Sequence, residues 1–353
     1  MNTAIEKARA IITGYRGPKI RIMEVCGTHT HEIFRLGIRS LLPENVELIS
    51  GPGCPVCVTP VSYIDEAIFL AEERHATICT FGDLVRVPGT AGSLAEARSR
   101  GARIQVVYTP LDAVTYAEEH PREEVVFLSV GFETTTPSAC LALKRAEAQD
   151  IANFSLLTAN KTMPAAYEAM ASHTDAYLYP GHVCAITGTS LPESLTQQGI
   201  SGAVAGFTAS ELLTALAVIL EKSRSGEPFF VNAYPRVVRP AGNPAARALV
   251  ETYMEPCDAI WRGLGTLKAS GLKIRSAFAP RDARVRFSLP SMSGRENPAC
   301  HCGAILQGLE RPVDCPLYGR ACTPDHPIGA CMVSREGACS AYYLYGGLGR
   351  NFA

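Results

Sequence analysis

The chain has 353 residues, 47% of them hydrophobic and 19% charged, and a formal net charge of -1. That length accommodates two or three domains with a large core, and the near balance of acids and bases excludes the strongly basic face of a nucleic-acid binder or a membrane-surface protein. The 13 cysteines are an odd and high count for a reducing compartment, where metal or redox work is the default expectation for them.

The chain opens on "MNTAIEKARAIITGYRGP", in which Glu6, Lys7 and Arg9 break the apolar core that a secretory signal needs. The longest apolar-rich run, "LLTALAVIL" at 212–220, spans nine residues, well short of the ~20 of a membrane helix. A cytoplasmic protein with no membrane partner is expected. Strand-like runs then follow in order: "KIRIMEV" (19–25), "VELIS" (46–50), "ATICTF" (76–81), "RIQVVY" (103–108), "EVVFLSV" (124–130), "FSLLTA" (154–159), "DAYLYP" (175–180), "GAVAGF" (202–207) and "PFFVNAY" (228–234). Their alternation with helical segments predicts α/β units with parallel sheets.

"GDLVRVPGT" (82–90) and "GHVCAITGT" (181–189) match at an offset of 99, and "YTPLDAV" (108–114) matches "FTASELL" (207–213) at the same offset without a gap. Two matches in one register predict a duplicated α/β domain, 18–118 and 119–238, with a ligand cleft where the C-terminal strand ends of the two halves face each other. A helix over "NPAARALVETYMEPCDAIWRGLG" (243–265) is expected next. The remainder of 239–353 is rich in Gly, Pro and Cys and reads as a small domain organised by a metal, joined by an N-terminal helix within 1–17.

Chemistry concentrates in four places. The tail carries Cys300, Cys302, Cys315, Cys322, Cys331 and Cys339 between Gly- and Pro-rich turns, which suits thiolates approaching an iron-sulfur cluster from several loops. A zinc site would more often show two CxxC pairs, and unmetallated thiols are the third reading. Cys300 and Cys302 are too close in sequence for both to reach cluster corners, so one of them is spare. In "SGPGCPVC" (50–57), Cys54 and Cys57 form a CxxC after a strand, able to cycle between dithiol and disulfide or to hold a soft metal; half of a zinc site is the bland alternative.

In "MEVCGTHTHEI" (23–33), Cys26 sits at a strand end before a helix, where the partial positive charge of the helix start favours thiolate. That serves a nucleophile with His29 as base, a soft-metal ligand, or only a buried cysteine with outward histidines. In "SVGFETTTP" (129–137), Glu133 and Thr134 to Thr136 occupy the corresponding place in the second half and are expected to face Cys26, unless they are merely a helix cap. Asp83 and His182 would point into the same cleft. Cys79, Cys140, Cys184 and Cys257 read as small core residues.

Together, "MEVCGTHTHEI", "GPGCPVCVTP", "GFETTTP", "PGHVCAITG" and "ACTPDHPIGACMVSREGACSAYY", in this order, resemble the HypD family of [NiFe]-hydrogenase maturation scaffolds from about residue 20 to the end. The resemblance implies a scaffold that, with the small chaperone HypC, holds the iron on which Fe(CN)2CO is assembled. Cyanide arrives through HypE, and the finished unit passes to the hydrogenase large-subunit precursor. By the same resemblance Cys26 would ligate this mononuclear iron together with a HypC cysteine, His29 would lie beside it, and Cys54 and Cys57 would be the cleft thiol pair. The family's cluster spacing selects Cys300, Cys315, Cys322 and Cys339 for a [4Fe-4S] cluster. Cys302 and Cys331 are then left as a redox pair between cluster and cleft, a layout like that of ferredoxin-thioredoxin reductase. Thiolates suit a soft iron carrying cyanide and carbon monoxide, and reductive release of the delivered cyanide needs electrons. The competing expectation is a stand-alone iron-sulfur thiol-disulfide oxidoreductase.

Overall fold

The computed structural model describes residues 3–346; residues 1, 2 and 347–353, the outermost parts of the predicted segments 1–17 and 239–353, lie outside the described residues. Each of the nine strand-like runs contains a strand: β1 (Ile20–Glu24), β2 (Val46–Ser50), β3 (Thr77–Thr80), β4 (Ile104–Val106), β5 (Val125–Gly131), β6 (Phe154–Asn160), β7 (Ala176–Pro180), β8 (Ser201–Ala205) and β9 (Phe230–Asn232). They form two sheets, β2-β1-β7-β8-β9 and β4-β3-β5-β6, and every pairing in both is parallel. Parallel sheets carry helices on both faces, so their strands are apolar throughout rather than alternating; all seven residues of β5 are buried. The apolar run at 212–220 lies in the helix Ala209–Lys222, which packs against β8 and the first helix, α1 (Thr3–Thr13). Among the described residues no helix is long and apolar enough to cross a membrane.

The sheets do not divide the chain at residue 118. β1 and β2 join β7, β8 and β9, and the whole of β3 to β6 is inserted between them as the second sheet. The internal likeness is nevertheless structural. β3 and β4 in one sheet answer to β7 and β8 in the other, and Thr109 with Asp112 forms the same helix-starting capping box as Thr208 with Glu211. Reading outward from these pairs, β5 occupies the place of β1 and β6 that of β2, so one sheet is a circular permutation of the other. Cys26 and Glu133 therefore do follow equivalent strands.

The helix expected over 243–265 is shorter. It runs from Pro244 to Tyr253, with Asn243 Oδ1 accepting from the Ala246 amide at 3.1 Å, and gives way to an antiparallel hairpin of β10 (Met254–Trp261) and β11 (Gly265–Ile274). Pro256 cannot donate within a helix, and from Met254 onward burial alternates with the period of a strand.

A short arginine-rich segment ties the C-terminal region to the inserted sheet. Arg281, 7% exposed, donates to Glu147 and to the carbonyls of Ile151, Phe154 and Ala146, while Arg284 holds Glu66 at 2.7 Å and the Thr158 carbonyl at 2.8 Å. Arg281→Ala should cost about 2 kcal/mol, because buried carbonyls lose a charged donor. The thermal unfolding midpoint would fall, with partial recovery in Arg281→Lys; an unchanged midpoint would mean water replaces the guanidinium at no cost.

Candidate metal centre

Loops at the C-terminal ends of the first sheet build one side of the site. β1 hands over to α2 (Gly27–Arg35) at Cys26, which takes the N-cap position with extended backbone. β2 hands over to the single turn α3 (Pro55–Val58), N-capped by Cys54, whose sulfur accepts from the Cys57 amide at 3.4 Å; Pro55 starts the turn where no N–H is required. The two loops interlock. Gly27 donates its amide to the Gly53 carbonyl at 3.0 Å, and Gly53 packs so tightly on Cys26 that a Cβ there would lie 2.0 Å from the Cys26 nitrogen.

An imidazole beside Cys26 belongs to His182, after β7, whose two ring nitrogens each lie 4.0 Å from Cys26 Sγ. His182 thus enters the cleft as the sequence implies. His29 is turned elsewhere: its Nε2 donates to the Gly206 carbonyl at 3.0 Å, its ring packs on Phe207 at 4.8 Å, and its bare Nδ1 is buried without a partner among the described residues. Burial pushes both histidines toward the neutral form, His29 down to about 3, with His182 adding to the effect, and His182 down to about 4. The Cys26 thiol is pushed up by burial. The amides of His29 and Thr28 at the helix start pull the other way, as expected, but are outweighed, and Glu336 and Glu24 reinforce the rise.

Two acids that sequence reasoning did not single out brace this loop. Glu24, fully buried, accepts from Thr30 Oγ1 at 2.6 Å and from the Cys26 amide at 3.4 Å, and burial raises its carboxyl to about 7. Glu336, from the tail, accepts from Thr28 Oγ1 at 2.7 Å and covers Gly27, where a Cβ would come within 2.4 Å of it. The only sequence signal for Glu336 is its place between Cys331 and Cys339.

Glu133 follows β5, but its contacts lie away from Cys26. Oε1 accepts from the Met163 amide at 2.8 Å, Oε2 is buried without a partner among the described residues, and its charge bears on Cys184 and Tyr167. Burial raises it to about 7. Thr135 and Thr136 hydrogen-bond the Phe132 carbonyl as an ordinary helix start does. Asp83 is exposed on the outer surface rather than buried at the centre. Cys79, Cys140 and Cys184 are core residues, and Cys257 is half-buried on β10.

The tail brings all six of its cysteines around one small cavity, with Ile305, Tyr318, Gly329 and Met332 completing the wall. Cys300 is half-buried and the other five are buried. A Cβ on Gly329 would lie 2.7 Å from Cys300 Sγ, and the Ile328 amide donates to Cys322 Sγ at 3.3 Å. Cys302 and Cys331 approach each other to 2.9 Å between sulfurs. The Cys57 thiol is held up by burial and by its Cys331 and Cys54 neighbours. Cys54, Cys57, Cys302 and Cys331 share one core cluster with Phe132, Met163 and Trp261 from the second sheet and hairpin. Among the described residues no three His, Cys, Asp or Glu side chains converge as a set for a single metal ion.

Residues 2–346 match a protein-family model, HypD, described as the hydrogenase formation hypA family. The hydrogenase maturation factor HypD of Cupriavidus necator is 43% identical over 343 residues, covering 94% of this chain and 90% of that protein. That of Azotobacter vinelandii is 43% identical over 338 residues, covering 92% and 89%, and that of Escherichia coli K12 is 41% identical over 332 residues, covering 92% and 89%. A match running through both sheets, the Cys26 and CxxC loops and the cysteine-lined tail leaves one assignment: the chain belongs to the HypD family of hydrogenase maturation factors.

Proposed function

We propose that the chain is a scaffold that, with a HypC-type chaperone, holds iron while its Fe(CN)2CO group is assembled, accepting cyanide from a HypE-type donor before transfer to a hydrogenase large-subunit precursor. The observation that carries this reading is that Cys54, Cys57, Cys302 and Cys331 share one buried core cluster, with Cys302 and Cys331 2.9 Å apart at the cysteine-lined cavity and Cys54 and Cys57 next to the loop that presents Cys26.

Cys26 and His182 offer the iron cargo two donors at most, so the remaining ligands must come from the partner and from the diatomic groups. Loss of the Cys26 proton to a metal offsets the burial that otherwise keeps the thiol neutral. His29, fixed on Gly206 with its Nδ1 buried and unpartnered among the described residues, is assigned to the surroundings of the iron rather than to its ligands. Oxidation of the Cys54 and Cys57 thiols to a disulfide yields two electrons and two protons; for cyanide delivered as S–CN on a donor thiol, the two electrons and one of the protons break the S–C bond and leave the donor thiol and cyanide as its anion. Thiol-disulfide exchange with Cys331, and then with Cys302, moves the oxidised state back toward the cysteine-lined cavity.

Six cysteines around one cavity whose wall, among the described residues, has no histidine or carboxylate, and the amide directed at Cys322, favour a polynuclear iron-sulfur cluster over zinc. Cys300, Cys315, Cys322 and Cys339 would hold it. When bound, a [4Fe-4S] cluster supplies single electrons at this end of the protein. Glu133 acts in this scheme as a buried acid whose charge bears on Cys184 and Tyr167.

Serine at Cys331 tests the relay. The expected result, followed by thiol labelling and mass spectrometry of anaerobically reduced protein, is a Cys54–Cys57 disulfide that forms normally but is no longer re-reduced internally. Re-reduction at the normal rate in Cys331→Ser would rule the relay out.

A further inference from the structure

The tip of the β10–β11 hairpin is wedged between the CxxC turn and the tail. Gly263 has a φ of +79°, and a Cβ there would come within 2.5 Å of the Cα of Gly303, the residue after Cys302; only glycine combines that conformation with that approach. Gln307 Nε2 donates to the Gly263 carbonyl at 2.7 Å. Arg262, beside Gly263, is 5% exposed. Its amide donates to the Val58 carbonyl at 2.8 Å, and its Nε and Nη2 donate to the Thr59 carbonyl at 3.1 and 3.0 Å. Both carbonyls close α3, the turn that carries Cys54 and Cys57.

The remaining end of the guanidinium meets the tail. Nη1 lies 3.5 Å from Glu296 Oε1, and Arg262, Arg295, Glu296 and Cys300 line one cleft of about 560 Å³. Arg295 and Glu296 are exposed, so water and salt screen their charges, whereas the buried Arg262 is screened far less. Its charge reaches two tail thiols. The hydrogen bond with Cys302, and then burial, push the Cys300 thiol up, and Arg262 opposes that rise. At Cys302 the contact with Cys300 and the Arg262 charge both oppose the rise that Cys331 and burial impose. Two carbonyls need only neutral donors, and burying a cation is costly unless something negative compensates it. Glu296, at the exposed rim, compensates it in part; the sulfurs of the tail are the other electron-rich groups within reach of the charge.

We propose that Arg262 is a positioning residue of the cysteine centre: the hairpin tip fixes its guanidinium between the CxxC turn and Cys300 and Cys302, where its charge favours the reduced, electron-rich state of the sulfurs. One electron added to an iron-sulfur cluster adds one negative charge, so a fixed cation beside its ligands raises the potential. Glu296 moderates this from the rim. The electrochemical consequence rests on the proposed cluster; the effect of the charge at Cys300 does not.

Two measurements on the full chain test the proposal. In anaerobic potentiometric titration of the cluster-bearing protein, Arg262→Gln should lower the midpoint by about 59 mV, a tenfold change in a one-electron equilibrium. Arg262→Lys should keep most of the parent value, and Glu296→Gln should shift the midpoint the opposite way. The Glu296 side chain is 45% exposed, so its replacement leaves the fold intact and the test stands even if Arg262→Gln does not fold. In the reduced, metal-free chain, Cys300 is labelled with anionic dithiobis(nitrobenzoate) or with neutral dithiodipyridine, and mass spectrometry gives the ratio of the two rates. The ratio cancels differences in thiol reactivity and reads local charge; it should fall about tenfold in Arg262→Gln and rise in Glu296→Gln. A parent chain that takes up no cluster would refute the cluster and leave this ratio to decide on Arg262. An unchanged midpoint or ratio in Arg262→Gln, shifts of the same sign in Arg262→Gln and Glu296→Gln, or Arg262→Lys behaving like Arg262→Gln would each overturn the proposal.

Discussion

Gly53→Ala should abolish formation of the iron centre and lower stability by about 3 kcal/mol, the upper end of overpacking costs, because the added carbon would meet backbone rather than a movable side chain. The three nearest atoms are the Cys26 nitrogen at 2.0 Å, the Val25 carbonyl carbon at 2.2 Å and the Cys26 Cα at 2.4 Å. The Cys26 loop must move, and with it the sulfur that faces His182. Gly82→Ala is the matched control: its nearest neighbour would be a methyl of Val106 at 3.9 Å, and it should be silent. Thermal unfolding reads the stability, and iron content after anaerobic loading with the chaperone reads the site. If Gly53→Ala loads iron like the parent, the interlocked loops are not what positions Cys26.

Glu133→Gln should stabilise the protein above neutral pH. The Glu133 carboxyl is raised from its ordinary value to about 7 by burial, so the folded state holds its proton more tightly than the unfolded chain does. Its stabilising contribution is complete below the unfolded value of about 4.5 and is lost as pH rises through about 7, each pH unit between the two values being worth about 1.4 kcal/mol. The loss over that window is about 3 kcal/mol. The glutamine variant keeps the Met163 contact without a charge to bury and should lack this part of the pH dependence. Urea unfolding at pH 5 and pH 8 should find the two proteins similar at pH 5 and the variant more stable at pH 8. Equal stability at pH 8 would mean that the carboxylate is solvated where it stands.

The nine strands of the two sheets were legible because buried parallel strands are written as short β-branched runs, as in "EVVFLSV" and "SLLTA". Their assignment to sheets was not. The 99-residue likeness suggests tandem halves, and nothing local in "KIRIMEV" says that β1 pairs with β7 across more than a hundred intervening residues. The hairpin after Tyr253 was hidden by helix-forming residues upstream, although Pro256 signalled a break. At the site, the Cys26 and CxxC loops and the six tail cysteines were visible from spacing. His182 was correctly directed to the cleft. The orientation of His29 depends on Gly206 and Phe207, which the fold brings from 177 and 178 positions later, and the bracing of Gly27 and Thr28 by Glu336 joins opposite ends of the chain. Such contacts leave no local pattern. Glu133 followed the right strand, yet its carboxylate is drawn to the Met163 amide.

Whether Cys26 is a thiolate ligand of an iron carrying cyanide and carbon monoxide is decided by infrared spectroscopy of the full chain after anaerobic assembly with a HypC-type chaperone and a HypE-type cyanide donor. Cyanide and carbonyl stretching bands should appear in the parent protein and be absent in Cys26→Ala, while the absorbance of an iron-sulfur cluster persists in that variant. Bands of undiminished intensity in Cys26→Ala, or disulfide turnover with no such bands in the parent protein, would show that Cys26 does not hold such an iron.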